Sequence, residues 1–378
     1  MECGRIKILY VVSTLGRTGP TRQLLGLVKN LNKDAFKIKI LTLSPEPIDT
    51  MIKEFIDADI EVDSLNLSRV EFVIKGKSAL KKYIEKYNPD IIHTSGIRAD
   101  TAVSNMKLTK KHCMTVRNYV YQDYISKYGN IIGKIAAIYG IKSIKNCEYV
   151  ICCSKTLKYM YEKILPGKKF YVVQNGIDID EFKPPLNFEE KIFERKRLDI
   201  PQERMVFLAV GSLIKRKDPI SIIKAFKNAN CDNKAILILL GDGELLEECK
   251  NESDENIIIK GKVKNVEDYL KAADVYVSAS RSEGLPNSVL EAGSCGLNLI
   301  LSDIPQHKEI FEENSGLVQF FKVGDIGDLS LNISKLLKEN KKEINFAISQ
   351  YIRDRFSDKA MSKYYQEIYY SMSRDYEK

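Results

Sequence analysis

The stretch "DVYVSASRSEGLPNSVLEAGSCGLNLILSD", residues 274 to 303, opens on a β-rich apolar run and closes on another, LNLILS. Between them lie a loop holding Glu283, Gly284 and Pro286, then a helical pattern that ends before Gly296. Proline at the start and glycine past the end are the usual punctuation of a helix. Strand, helix and strand in this order form a βα unit, whose two strands run parallel.

The same alternation continues outward in both directions. Before it come MVFLAVG, AILILLG and NIIIKG, and after it GLVQFF. The first half reads likewise, with strands expected at IKILYVV, FKIKILTL, DIIHT, CMTVR, YVICCS and FYVVQN. Two such series predict an α/β protein of two Rossmann-like, doubly wound domains. The join falls near "FKPPLNFEEKIFERKRLDIPQER", where two prolines and a run of charge interrupt the alternation. The expected parts are residues 1–187, residues 188–355, and a final helix over 356–378 whose aromatic face needs a surface to pack on.

Composition narrows the class. At 378 residues, 44% hydrophobic and 29% charged, the chain has the make-up of a soluble globular protein with room for two cores. No apolar run approaches the roughly 18–20 residues that span a bilayer. The start runs directly into a strand-like segment rather than a long apolar stretch with a cleavage site, so a cytoplasmic location is expected. The eight cysteines are scattered without a CxxC pair. They read as small buried thiols, and Cys152 and Cys153 are adjacent within a strand, so no zinc site is expected. The net charge of +8 is uneven: residues 1–187 hold 30 Lys and Arg against 19 Asp and Glu, whereas residues 188–378 hold 29 against 32. A basic first half suits an anionic surface or substrate. With no nucleic-acid recognition motif or aromatic-basic repeat, nucleic acid is not an expected partner.

Ligands of doubly wound domains gather at the carboxyl ends of strands, beside helix N-termini. After the first strand comes "STLGRTGPTRQLLGL", where Gly16 and Gly19 free the backbone and Ser13 or Thr14 is positioned to cap a helix. It is neither G-x-G-x-x-G nor a P-loop, so it reads as a phosphate cradle or as a plain turn. MVFLAVG runs into "SLIKRKDP", where Lys215, Arg216 and Lys217 precede an Asp218-Pro219 helix start. Three cations there suit a diphosphate, or form a solvated basic turn. A second glycine turn, Gly241 to Gly243, has the same two readings. In the opening stretch Glu283 precedes the helix and Glu291 lies about a turn inside it. The amides near Gly284, Leu285 and Asn287 make its positive end. Carboxylates there accept bonds from hydroxyls, and two hydroxyl-rich groups joined by a diphosphate make a nucleotide sugar.

On these residues the chain resembles the retaining GT-B glycosyltransferases of family four. Glu283 to Glu291 is similar to that family's E-x7-E motif. "VVQNGIDIDEF" resembles its N-G-[IV]-D-x-x-x-F signature, and "AVGSLIKRKDP", "LILLGDGE" and "GKVKNVEDYLKAADVYVSAS" follow in the family's order. "TGPTRQL" and "TVRNYVYQDY" resemble branches that build capsule and other surface polysaccharides. The resemblance implies two domains facing a central cleft, with a UDP-sugar as the expected donor and a lipid-linked glycan as acceptor. It also implies roles. The Gly16 amide approaches the diphosphate, Arg216 and Lys217 neutralise it as it leaves, and the turn at Gly211 borders it. Glu283 with the Gly284 and Leu285 amides holds the donor sugar, Glu291 binds the ribose, and the backbone near Val263 meets the base. The final helix would cross back to the first domain. The implied chemistry is a same-face substitution in which the departing diphosphate helps deprotonate the acceptor hydroxyl, without metal or a resident cofactor.

Two positions depart from the family pattern. Ser212 stands where an arginine is frequent, leaving Arg216 to supply the guanidinium. Arg117 stands where many members have histidine. An arginine is no base, but it binds hydroxyls and phosphates. His93 and His307 are alternative candidates, although a lone histidine is more often structural, and His112, beside Lys110 and Lys111, reads as surface. Asp178-Ile179-Asp180 has the form of a metal clamp, yet sits inside a turn. Residues 122–146, with Lys127, Lys134, Lys142 and Lys145, read as a basic amphipathic helix for an anionic membrane or as a helix packed on its own sheet. A GT-B-fold nucleotide-sugar epimerase and a non-catalytic nucleotide-sugar-binding protein are the rival functions.

Overall fold

Ile8, Tyr10 and Val12 face one side of strand β1 (Ile6–Val12), Leu9 and Val11 face the other, and all five are buried. A strand apolar on both faces belongs inside a parallel sheet covered by helices. In the computed structural model, which describes residues 4–106, 108–229, 231 and 233–374, β1 is an interior strand of such a sheet. Cys3, residues 375–378 and the side chain of Lys127 lie outside the described residues.

The chain divides into two units, one running to Gly176 and resuming at Asp358, the other spanning Ile177–Ser357. The first sheet adds β2 (Phe36–Thr42), β3 (Glu61–Ser64), β4 (Ile91–Thr94), β5 (Lys111–Val116), β6 (Tyr149–Cys152) and β7 (Phe170–Val172), in the order β3-β2-β1-β4-β5-β6-β7. Every pairing is parallel. Strand β3 reads EVDS, four residues at the sheet edge with no apolar run, which is why sequence patterning does not reveal it. The final helix, Asp358–Arg374, belongs to this unit and supplies the expected aromatic face. Met361, Tyr365, Tyr369 and Met372 join Ile8, Tyr10 and Leu24 in one core. Ser362 donates to the Leu27 carbonyl at 2.9 Å and Lys29 pairs with Asp358 at 3.0 Å. Full burial of each large side chain stabilises by about 1.5–3 kcal/mol, so the helix is integral to this core.

The second sheet is β10-β9-β8-β11-β12-β13, again parallel throughout. Its strands are β8 (Met205–Val210), β9 (Ala235–Leu240), β10 (Ile257–Gly261), β11 (Val275–Ser278), β12 (Asn298–Ser302) and β13 (Gln319–Phe321). All six match the runs read from the sequence. The charge-rich stretch taken as the join is instead part of this unit, and contains the helix Phe188–Arg197. Arg195 is wholly buried, donating to Asp274 Oδ2 at 2.6 Å and to the carbonyls of Ala272, Gln202 and Arg204. Lys191 meets the other Asp274 oxygen at 2.6 Å. Its charges look solvent-bound in sequence because their partner lies far along the chain.

In both sheets the strand order reverses once, between β1 and β4 and between β8 and β11. The loops leaving those strands diverge and open a crevice at their carboxyl ends. Among the described residues no helix is long and apolar enough to cross a membrane.

Candidate active site

At the β8/β11 crevice the chain leaves β8 through Gly211, at φ +152°. A Cβ on Gly241 would lie 1.8 Å from the Gly211 carbonyl oxygen, and one on Gly243 would lie 2.4 Å from that of Leu213. The second glycine turn is thus needed to seat one loop backbone on another. Asp218 caps the helix Pro219–Asn228 through backbone alone, at φ 52°, and its carboxylate takes a 3.0 Å hydrogen bond from Arg281 Nε instead. A shallow hollow remains, lined by Gly211, Ser212, Lys217, Tyr276, Ser278 and Ser280.

Glu283 stands beside it, its side chain only 7% exposed. Arg216 Nη1 donates to Glu283 Oε2 at 2.8 Å and to the Ser282 carbonyl at 2.5 Å. Lys217 Nζ lies 2.5 Å from Glu283 Oε1. Burial pushes the Glu283 pKa up, but the charges of Lys217 and Arg216 overcome it and hold the carboxyl at about 2. Two cations and one ionised carboxylate therefore share this strand end with net positive charge. Lys215 does not join them, being exposed, with only its amide near Glu244. His307 lies behind the site. Its Nδ1 donates to the Ser302 carbonyl at 2.8 Å, and burial lowers its pKa to about 4, so the ring is neutral.

The helix Asn287–Ser294 begins directly after Pro286, which is its N-cap rather than part of its first turn. Gly284 and Leu285 are buried at its start, Asn287 is half-buried, and Glu291 sits half-buried a turn inside. Tyr276 anchors the helix by donating to Ser288 Oγ at 2.8 Å. Val263 is half-buried on the loop after β10, two strands from β8.

In the other unit Gly16 is buried in the loop leaving β1. The Leu15 amide donates to both oxygens of Glu46, at 3.0 and 2.8 Å, and Arg17 reaches Asp49 and Glu54. Neither Ser13 nor Thr14 caps the next helix, Gly19–Lys29; Thr18 is its N-cap, because the loop runs on through Gly16 first. Arg117 lies just past β5, its Nη1 donating to Asn175 Oδ1 at 3.2 Å. Its Nε is buried without a hydrogen-bond partner. It lines a cavity of about 280 Å³ with Ser95, Asp100, Thr115, Asn118 and Asp123. Asp100 Oδ1 is also buried without a partner, and burial raises the Asp100 pKa to about 7 against the bonds from Thr94 and the Gly96 amide. Asp100 was not singled out by sequence. Its signal was "SGIRAD", an acid one turn into the helix after β4, at a strand where the sheet order reverses.

The other histidines are structural. His93 bonds to Tyr369 Oη at 2.7 Å and Thr115 Oγ1 at 2.8 Å within the core. His112 is not a surface residue: it is half-buried on β5, bonded to Thr94 at 3.0 Å, and burial lowers its pKa to about 3. Asp178 Oδ1 accepts the amides of Asp180 and Glu181, which closes a turn. Residues 120–146 do not form one straight helix. The chain turns at Gly129, at φ 77°, and a Cβ on Gly133 would strike the backbone of Tyr124 and Ile125 at 2.5 Å. Two helical arms therefore pack closely through glycine, leaving Ile131, Ile132, Ile135, Ile138 and Lys134, Lys142 and Lys145 exposed.

Comparison with known proteins agrees with this architecture. Residues 17–181 match the family model for Glycosyltransferase Family 4, and residues 190–354 match that for Glycosyl transferases group 1. The chain belongs to glycosyltransferase family four. It is a transferase of GT-B fold, and solved GT-B enzymes superimpose along its length. Sucrose-phosphate synthase from Thermosynechococcus elongatus does so with a TM-score of 0.82 at 15% identity, covering 98% of this chain and 100% of that one. Anabaena HepE in complex with UDP and glucose gives 0.80 at 15%, covering 97% and 100%. Among curated relatives, the O-antigen biosynthesis glycosyltransferase WclY of Escherichia coli is 26% identical across 98% of this chain and 99% of its own. An Escherichia coli UDP-Gal:alpha-D-GlcNAc-diphosphoundecaprenol alpha-1,3-galactosyltransferase is 28% identical, covering 79% and 80%.

Proposed function

We propose that this glycosyltransferase moves a sugar from a UDP-sugar, with retention of configuration and without a metal ion, to a hydroxyl of a lipid-linked glycan during surface polysaccharide assembly. The observation that carries the reading is Glu283, ionised and buried between Arg216 and Lys217 at the start of the helix bearing Glu291. A guanidinium has five N–H donors and an ammonium three. Both can hold Glu283 and still meet a diphosphate at the mouth of the hollow. Their charge would offset what builds on the departing nucleotide, in a site already organised before the reaction. Glu283 and the Gly284 and Leu285 amides would orient the donor sugar, Glu291 would take the ribose hydroxyls, and the turns at Gly211 and Val263 would border diphosphate and base. In the other unit, the buried Asp100 oxygen and Arg117 Nε would bind acceptor hydroxyls. The choice of UDP draws support from HepE, solved with UDP, and that of surface polysaccharide from the names of the relatives.

The test is a donor screen with purified protein and UDP-, GDP- and ADP-sugars, with and without EDTA. A single UDP-sugar that raises the melting temperature and slowly releases UDP, unaffected by EDTA, is expected. Stabilisation without release, even when membrane extract supplies acceptor, would overturn transfer in favour of a binding protein; an epimerised sugar without acceptor would favour the epimerase.

A further inference from the structure

The first unit carries a second concavity, of about 530 Å³, lined by Thr14, Ser44, Ser68, Arg69, Arg98 and Tyr128 among others. Its charged lining is two arginines and no carboxylate. Arg98 Nη1 donates to Ser44 Oγ, and its guanidinium lies 5.6 Å above the Phe72 ring, which holds it in place. Among the described residues neither arginine is ion-paired with a carboxylate. The nearby acid Glu71 is already committed to the Ser68 amide and to Lys75. Two unneutralised guanidiniums beside several hydroxyls are a recognition set for phosphate, and best for two linked phosphates.

The segments that follow the lining residues Arg69 and Tyr128 in the chain are apolar and exposed. The short helix begun at Arg69 and continued as a π-helix over Phe72–Gly76 presents Val70, Val73 and Ile74, with Val73 85% exposed. The segment after Tyr128 presents Ile131, Ile132, Ile135 and Ile138, with Ile131 77% exposed. Exposed Lys75 and Lys77 accompany the first ridge, and Lys134 and Lys142 the second. Aliphatic side chains interleaved with lysine and tyrosine are the composition of a surface that enters an anionic leaflet, whereas a protein interface is depleted in lysine.

We propose that Arg69 and Arg98 bind the diphosphate of the acceptor's lipid anchor while the two apolar ridges beside them enter the leaflet that carries it. This rests on the lipid-linked acceptor proposed above, and adds to it a place and a chemistry. The anchor would then be read separately from the glycan hydroxyls at Asp100 and Arg117.

The experiment is co-sedimentation with phosphatidylcholine vesicles, plain or doped with a polyprenyl diphosphate, using the full chain. Wild type should prefer doped vesicles. The Arg69→Gln/Arg98→Gln variant, with an unchanged melting temperature, should lose that preference by about a hundredfold, since each charge-assisted pair is worth roughly tenfold or more. An Ile131→Glu/Ile135→Glu variant should lose vesicle binding yet keep an inorganic pyrophosphate site in calorimetry that the double-arginine variant lacks. A double-arginine variant that keeps its preference overturns the site. Pyrophosphate binding at the Arg69/Arg98 site, read as the part lost in the double-arginine variant, as tight as that of doped vesicles overturns the lipid source. Vesicle preference by a chain that releases no nucleotide in the donor screen would leave this site standing and remove the transferase reading alone.

Discussion

Lys217 Nζ and Glu283 Oε1 stand 2.5 Å apart, on the loops that leave the two strands where the second sheet reverses its order. The pair links a cation on the loop after β8 to the carboxylate at the helix start, so either residue is held by the other. Lys217→Ala and Arg216→Ala should each lower kcat on the order of 10²–10³-fold, the usual loss when a preorganised charge is removed from a transition state. Cys295→Ala, a buried thiol behind the same helix, should not approach this. Equal turnover in all three variants would refute the assignment.

The same ion pairs make stability depend on acid. The Glu283 pKa is held at about 2 against an ordinary 4.5. Its contribution is complete above the unfolded value and is lost as pH falls from about 4.5 toward 2. It amounts to on the order of 3 kcal/mol. Glu283→Gln should flatten this part of the denaturation profile measured against pH; an unchanged profile would show that the pairs do not form in solution.

Asp100 predicts the opposite slope. Its folded pKa is about 7 against 3.8, so the folded state binds the extra proton, and stability falls as pH rises from about 4 to 7. Asp100→Asn removes that ionisation. The melting-temperature advantage of the variant over wild type should grow with pH up to about 8 and shrink at pH 5. Acceptor KM should rise in the variant even where stability improves.

Lys134, Lys142 and Lys145 lie exposed on the longer arm of the glycine-packed helical pair. Each lysine near an anionic surface contributes about 1 kcal/mol. Replacing all three by glutamate should therefore release the protein from phosphatidylglycerol vesicles by more than about a hundredfold, and retained binding would exclude this arm as a membrane contact.

Asp274 is wholly buried between Lys191 and Arg195. Asp274→Ala would leave two buried cations without their partner, at a cost of about 3–5 kcal/mol. Urea denaturation should show the Ile177–Ser357 unit unfolding first in this variant.

Local chemistry carried much of the outcome by itself. The twelve apolar runs read in sequence correspond to twelve strands, because strands buried on both faces must be apolar throughout, whatever their partners. The loops with Gly16, Arg216, Lys217 and Glu283 were legible because glycine, proline and charge at strand ends are needed locally. What depends on residues distant in the chain was not legible. Strand β3 is polar and exists through its pairing with β2. The buried state of Arg195 follows from Asp274, and the place of the last helix follows from the His93–Tyr369 bond and the core around Tyr10. The unpartnered oxygen of Asp100, the bend at Gly129 and the joining of Arg69 to Arg98 around one concavity likewise arise only when the chain is folded. Burial and charge pairing are properties of neighbours in space, and only the tertiary structure decides who those neighbours are.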